Sequence, residues 1–148
     1  MKEEDKQYLS QVGMYLVDLF YNQNKMEKEF VPYELALRLK ELGFDKSTFG
    51  GWCHPFNNHK PYLQLNQEGE YDITAPTFSQ ALRWFRENYG LWFRPDYYDE
   101  MKEYNFQGSI HELGKYSAVA DIGNHKTPEE AELACLEKLL EIVESKSE

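Results

Sequence analysis

The stretch "TAPTFSQALRWFRENYGLWFRPDYY" (74–98) decides the fold, because it combines a well-marked helix with a strand that follows at once. Thr74 can cap the helix, and Gly90 is typical of a helix C-terminus. Its apolar positions recur at helical spacing and predict a buried face; they are Phe78, Ala81, Leu82, Phe85 and Tyr89. The residues at 91–98 predict a strand, which Pro95 confines to the edge of a sheet or to a bulge.

The residues that follow predict two further strands and a last helix. "EYNFQGSIHE" (103–112) places Tyr104, Phe106 and Ile110 on one face of a strand, and "YSAVADI" (116–122) predicts the next strand. In "TPEEAELACLEKLLEIV" (127–143), a Thr cap precedes Pro and is followed three residues later by Glu, which marks a helix start. The predicted core face of this helix consists of Ala131, Ala134, Cys135, Leu139, Ile142 and Val143. Residues 74–146 therefore form an α-β-β-β-α unit.

The residues before this unit predict two helices and a hairpin. Residues 4–27 are amphipathic with helical spacing, and a second helix starts near Pro32 and ends at Gly43, which completes a helical N-terminal part over 1–45. Residues 46–73 predict a β-hairpin, and "QEGEYDI" within it can add another short strand. We therefore expect one α+β domain over 1–148, in the order α-α-β-β-α-β-β-β-α, with antiparallel strands covered by helices.

The charge balance limits the kind of partner that this chain can bind. Asp and Glu number 26 against 16 Lys and Arg, which gives a formal net charge of -10. Such a surface repels nucleic-acid phosphates and anionic membranes. Acidic charge often serves only solubility; where it has a function, we expect a protein partner with a basic surface. No apolar run is long enough to span a membrane, and "MKEEDKQYLS" (1–10) does not resemble a signal peptide. Two distant cysteines indicate no disulfide framework, which is typical of a cytoplasmic protein.

The stretch "GGWCHPFNNHK" (50–60) is the main candidate for a metal or catalytic site, because Cys53, His54 and His59 lie within it. A structural zinc site needs four ligands, usually in two close pairs, and the sequence offers no second close pair. A Cys–His nucleophile needs a base within hydrogen-bond reach of the thiol, which sequence neighbours rarely achieve. The pattern favours a hairpin loop, with no metal, cofactor or catalytic residue.

Acids and tyrosines are interleaved at the end of the strand predicted at 91–98 and in the connection that follows it. They are Asp96, Tyr97, Tyr98, Asp99, Glu100, Glu103 and Tyr104. An acidic connection of this kind is usually only solvated. Tyrosine, however, is enriched at binding hot spots, and beside carboxylates it can contact Arg or Lys by hydrogen bond, ion pair and cation–π interaction. This segment is therefore the candidate interaction surface.

One pair of arginines is the nearest approach to a basic site. Arg83 and Arg86 are three residues apart on the predicted helix, so they share a side. Such a pair neutralises nearby acids more often than it binds phosphate. Phosphate loops, dinucleotide fingerprints and the nucleophile elbow are absent from the sequence.

The order helix, three strands, helix over 75–146 is similar to that of double-stranded-RNA-binding domains, and "HKTPEEAELACLEKLLEIV" (125–143) resembles their last helix. That family carries a basic cluster at the start of this helix, where it contacts phosphates. Here Glu129, Glu130 and Glu132 occupy those positions. The resemblance therefore implies a shared shape without RNA binding.

Three segments, at 33–45, 73–91 and 127–143, are together similar to a family of small proteins encoded by phages and mobile elements of gut Bacteroidetes. The family has no assigned activity, so the resemblance implies a genetic context and carries over no functional residues.

Three hypotheses about function follow from the sequence. The favoured one is a non-catalytic interaction or accessory protein of phage or mobile-element origin, and one version of it is an acidic inhibitor of host nucleic-acid-handling machinery. The second is a small enzyme or ligand-binding protein with an aromatic pocket. The third is a degenerate module related to double-stranded-RNA-binding domains. The apolar stripes of the first two helices suit either intramolecular packing or self-association into a homo-oligomer.

Overall fold

The computed structural model describes residue 7 and residues 10–14, 25–54, 60–65, 71–99 and 103–147. The chain divides into two units, Met1–Phe30 and Val31–Glu148. In the first unit, residues 7, 10–14 and 25–27 are helical. The remainder of the helix predicted over 4–27 lies outside the described residues.

The second unit contains helices and two antiparallel sheets. Its helices are α1 (Tyr33–Glu41), α2 (Phe78–Tyr89) and α3 (Pro128–Ser147). One sheet has the order β2-β1-β3, with β1 (Gly51–Cys53), β2 (Tyr62–Gln64) and β3 (Ile73–Thr74). The other has the order β4-β5-β6, with β4 (Leu91–Tyr97), β5 (Phe106–Glu112) and β6 (Ala118–Asp121). The α+β class is confirmed, and β3 extends the predicted hairpin to three strands.

The second sheet positions the candidate site. β4 pairs with β5 from Leu91 opposite Glu112 to Tyr97 opposite Phe106. β4 lies at the edge of this sheet, as Pro95 predicts. Helices α2 and α3 contact the sheet and each other, and the inward side chains of Leu91 and Ile110 are fully buried.

The start of α2 differs from the prediction. Thr74 belongs to β3 and pairs with Gly51, so it cannot cap the helix. Thr77 is the cap instead: its Oγ1 accepts a hydrogen bond from Gln80 N–H at 3.3 Å, and the Gln80 side chain accepts one from Thr77 N–H. Gly90 ends the helix in the left-handed conformation, as predicted, with φ 65°.

The buried faces of α2 and α3 are shifted around the helix from their predicted stripes. On α2, Trp84 is buried and Leu82 is only half-buried. On α3, the buried residues are Ala131, Cys135, Leu136, Leu139, Leu140 and Val143. The prediction named Ala134 and Ile142, which are half-buried, and omitted two leucines. The buried face of α3 is therefore rotated toward Leu136 and Leu140, and it contains as many residues as the prediction did.

Polar contacts connect distant segments of the second unit. Arg38 on α1 donates two hydrogen bonds to the Glu144 carboxylate on α3, at 2.8 and 2.7 Å. The Trp52 indole N–H on β1 donates to the Val31 carbonyl at 2.9 Å.

Aromatic rings pack against each other in the interior of the second unit. Trp84 packs edge-on against Phe44, at a distance of 5.6 Å between ring centroids. The core is therefore built around a buried aromatic cluster.

Candidate functional site

The connection between β4 and β5 brings most of the predicted interaction residues together. Tyr98 N–H donates to the Asn105 carbonyl at 2.9 Å and so closes the base of the connection. The Tyr97 ring packs on Phe106, with 5.2 Å between ring centroids. Tyr104 was predicted to share a strand face with Phe106, but β5 begins only at Phe106, and Tyr104 lies in the connection.

We call this surface the tyrosine–acid tip; its members are Asp96, Tyr97, Tyr98, Asp99, Glu103 and Tyr104. The seventh predicted residue, Glu100, lies outside the described residues. The exposed fractions of the tyrosines are 58% for Tyr97, 51% for Tyr98 and 45% for Tyr104. Asp99 and Glu103 are exposed too. Tyr97 Oη lies 3.4 Å from Asp99 Oδ1, so phenol and carboxylate groups are presented side by side.

The start of α3 lies next to the tip. Phe106 and His125 form an antiparallel bridge with hydrogen bonds of 3.1 and 2.7 Å. Lys126 Nζ lies 5.1 Å from the centroid of the Tyr104 ring, a cation–π contact. Lys126 N–H donates to Glu130 Oε2 at 3.0 Å. The exposed acids of the first turn of α3 therefore extend the acidic surface, an arrangement that sequence reasoning missed.

Few positive charges offset the acids of this surface. Arg94 Nε lies 3.7 Å from Asp96 Oδ1, and Lys126 contacts Tyr104. The acids around the tip number five among the described residues: Asp96, Asp99, Glu103, Glu129 and Glu130. The local charge is therefore negative, and it adjoins three half-exposed aromatic rings.

The Cys53–His54 region forms ordinary sheet contacts. Cys53 Sγ lies 3.2 Å from Gln64 Oε1 on the neighbouring strand. The backbone N–H of His54 donates to Asp72 Oδ2 at 2.7 Å, and its ring lies 5.7 Å from that of Tyr33. His59 lies outside the described residues. Among the residues described, no group of three or more His, Cys, Asp or Glu side chains could hold a metal ion.

The other cysteine lies in the core, as predicted. The Cys135 side chain is fully buried on α3. Burial disfavours the thiolate and, with a smaller contribution from Glu132, raises the pKa of the Cys135 thiol far above its ordinary value. This thiol is therefore not a nucleophile in the folded protein.

The outward face of the second sheet carries a group that sequence reasoning did not single out. Trp92 stacks on His111, with 5.0 Å between ring centroids and an interplanar angle of 29°. His111 Nε2 and Ser109 Oγ share a hydrogen bond of 2.8 Å. The spacing of two between Ser109 and His111 is the signal that places both on one face of β5.

A cleft lies between α2 and the beginning of β4. Its volume is 360 Å³, and Arg83 and Arg86 both line it. This agrees with the prediction that the two arginines share one side of the helix. The cleft is separate from the tyrosine–acid tip, because the two lie at opposite ends of β4.

Comparisons with protein-family models, with curated proteins and with solved structures found no match for this chain. Within the described ranges, no helix is long and apolar enough to cross a bilayer. These comparisons therefore assign no function to this chain.

Proposed function

We propose that this protein is a non-catalytic interaction protein that presents the tyrosine–acid tip to a basic surface of a protein partner. The observation that carries the proposal is the exposure of three neighbouring tyrosines, 45–58%, beside the carboxylates of Asp99 and Glu103. Aromatic rings held half in solvent gain binding energy when a partner covers them.

The chemistry of the tip indicates the character of the partner. Each tyrosine offers a ring face for an Arg or Lys side chain and a hydroxyl group for hydrogen bonding. The adjacent carboxylates can accept bidentate hydrogen bonds from arginine. A surface rich in Arg and Lys would meet both kinds of group at once.

Charge favours a protein partner over a nucleic acid. The chain has a net charge of -10, and Glu129 and Glu130 lie exposed beside the tip. Phosphates would be repelled there, whereas a basic protein would be attracted and its association accelerated. Such a basic surface is common on proteins that bind nucleic acids. We propose further, from the resemblance of the sequence at 33–45, 73–91 and 127–143 to phage and mobile-element proteins, that the specific role is inhibition of such a host protein in the cytoplasm.

The test begins with capture of a partner and ends with measured affinities. Tagged protein is incubated with a gut Bacteroidetes lysate, with and without nuclease, and bound proteins are identified by mass spectrometry. The affinity of the purified partner is then measured for two variants. Tyr98→Ser with Tyr104→Ser removes exposed rings, and Asp99→Asn with Glu103→Gln removes charge. Tyr97 is left intact because its ring packs on Phe106.

We expect each lost tyrosine to cost more than about 1 kcal/mol of binding free energy if it is a hot spot. The charge variant should mainly slow association and weaken its dependence on salt. Tyr116→Ser is the matched control, because Tyr116 is fully exposed on the connection between β5 and β6. A partner whose affinity falls equally for the control and for the tip variants would contradict the proposal, as would a partner lost on nuclease treatment.

A further inference from the structure

The cleft between α2 and β4 combines two positive charges with apolar walls. Helix α2 contributes one face, and β4 and the residue after β5 contribute the other. The lining residues are Ser79, Leu82, Arg83, Arg86, Trp92, Phe93 and Leu113. The volume of 360 Å³ falls in the lower part of the range for small-molecule sites, about 300–1,000 Å³.

The two arginines of the cleft differ from the other arginines of the chain. The sequence contains four arginines. Arg38 binds the Glu144 carboxylate at 2.7 Å, and Arg94 lies 3.7 Å from Asp96. Among the described residues, no carboxylate lies within ion-pair distance of Arg83 or Arg86. Two neighbouring guanidinium groups without an acid are unexpected in a chain in which 26 acidic residues outnumber 16 Lys and Arg.

The apolar walls of the cleft are held in place by the surrounding structure. The Phe93 ring lies directly over Gly108, where any added Cβ would collide with it. Trp92 follows the opposite direction, because neighbouring side chains alternate along a strand, and its ring stacks on His111 on the outward face. The backbone N–H of Leu113 donates to the Gly90 carbonyl at 2.8 Å, which ties the backbone at the end of β5 to the end of α2. Rings that are already oriented lose little entropy when a ligand binds.

We propose that this cleft binds a small aromatic anion, no larger than a mononucleotide. The carboxylate or phosphate of the ligand would lie between Arg83 and Arg86, which stay charged at any physiological pH and can each donate two hydrogen bonds. The ring of the ligand would pack against Leu82 and Phe93, which both line the cleft. This site does not depend on the tyrosine–acid tip, since Trp92 and Tyr97 are five residues apart on β4, roughly 17 Å.

Titration calorimetry of the full chain with defined probes tests the proposal. The probes are 1-naphthyl phosphate and adenosine 5′-monophosphate, which distinguish a simple aryl anion from a nucleotide. The neutral compounds 1-naphthol and adenosine lack the charge, and inorganic phosphate lacks the ring. We expect at least one of the two anions to saturate the site below about 1 mM, and the ring alone and the phosphate alone to bind at least about tenfold more weakly.

Substitutions locate the bound probe. Arg83→Gln and Arg86→Gln should each weaken binding by about tenfold. Arg94→Gln is the matched control, because Arg94 is a 60% exposed arginine outside the cleft, and it should bind the probe as the unmodified chain does. Circular dichroism confirms that each variant is folded. Because both arginines are exposed, their replacement should not affect folding.

Several results would overturn the proposal. One is the absence of saturable binding of both anions up to about 10 mM. Others are equal binding of naphthol and naphthyl phosphate, or equal losses in Arg94→Gln and the two cleft variants. Binding of an acidic peptide that requires Arg83 while neither small anion binds would assign the cleft to a protein segment instead.

Discussion

The Arg38–Glu144 ion pair should contribute measurably to stability, although both side chains are partly exposed. It joins α1 to α3 through two hydrogen bonds of 2.8 and 2.7 Å between residues 106 positions apart. The exposed fractions of the side chains are 32% and 39%. Exposed pairs are typically worth about 0.2–1 kcal/mol, but bidentate geometry strengthens a pair. We therefore expect a coupling free energy of about 1 kcal/mol.

A double-mutant cycle isolates this interaction. Arg38→Gln, Glu144→Gln and the double variant are unfolded with urea, and the coupling is the difference between the double change and the sum of the single changes. Lys138 and Glu141 provide a matched control on α3, three residues apart and 2.9 Å from each other, with exposed fractions of 43% and 57%. The control pair should couple by only about 0.3 kcal/mol.

The coupling should also depend on pH in a defined direction. The hydrogen bonds from Arg38, supported by its charge, lower the pKa of Glu144 below its usual value. Since the folded-state pKa is the lower one, this stabilisation is fully present above the unfolded-state pKa of about 4.3 and is lost as the pH falls through the folded-state value. A coupling no larger than that of the control pair, or one that persists unchanged at about pH 2, would refute this reasoning.

Three further predictions concern the core and the helix caps. Thr77→Ala should lower the free energy of unfolding by about 1 kcal/mol through loss of the α2 cap, whereas Thr74→Ala should lower it by less. A larger loss for Thr74→Ala than for Thr77→Ala in urea unfolding would mean that Thr77 is not the cap. Leu139→Ala, at a fully buried position, should cost about 2–5 kcal/mol in the same assay; a cost below about 1 kcal/mol would contradict the close packing of Leu139 in the core. A thiol reagent such as dithionitrobenzoate should modify half-buried Cys53 in the folded protein and Cys135 only after unfolding, and rapid modification of both would contradict the burial of Cys135.

Local signals in the sequence predicted the elements of the second unit well. Gly90 and Pro95 act through backbone geometry and a missing N–H group, so each has the same meaning in almost any fold. The prediction of the residue that caps α2 was wrong, because two threonines, Thr74 and Thr77, both precede the helix. The pairing of Thr74 with Gly51 decides between them. The residues next to Thr74 in the sequence do not indicate this long-range contact.

The candidate site could be predicted only in part, for the same reason. The interleaving of acids and tyrosines over 96–104 is local and was visible in the sequence. The approach of Lys126 to Tyr104 requires the bridge between Phe106 and His125, which joins segments separated by a complete hairpin. Helical spacing is enough to predict that Arg83 and Arg86 share one side of α2. The cleft could not be predicted, because it also depends on the direction that β4 takes after Gly90.

The position of Pro95 in β4 has a consequence for the behaviour of the protein at high concentration. Tyr98 donates its N–H to Asn105 on the β5 side, and in an antiparallel ladder such donors alternate. The missing N–H of Pro95 therefore faces the open edge of the sheet. A second molecule that tried to add a strand there would find a gap in the middle of the row of donors. The open edge of β4, which leads to the tyrosine–acid tip, is thus a poor template for fibril growth. The exposed tyrosine side chains of the tip therefore do not promote aggregation by strand addition along β4.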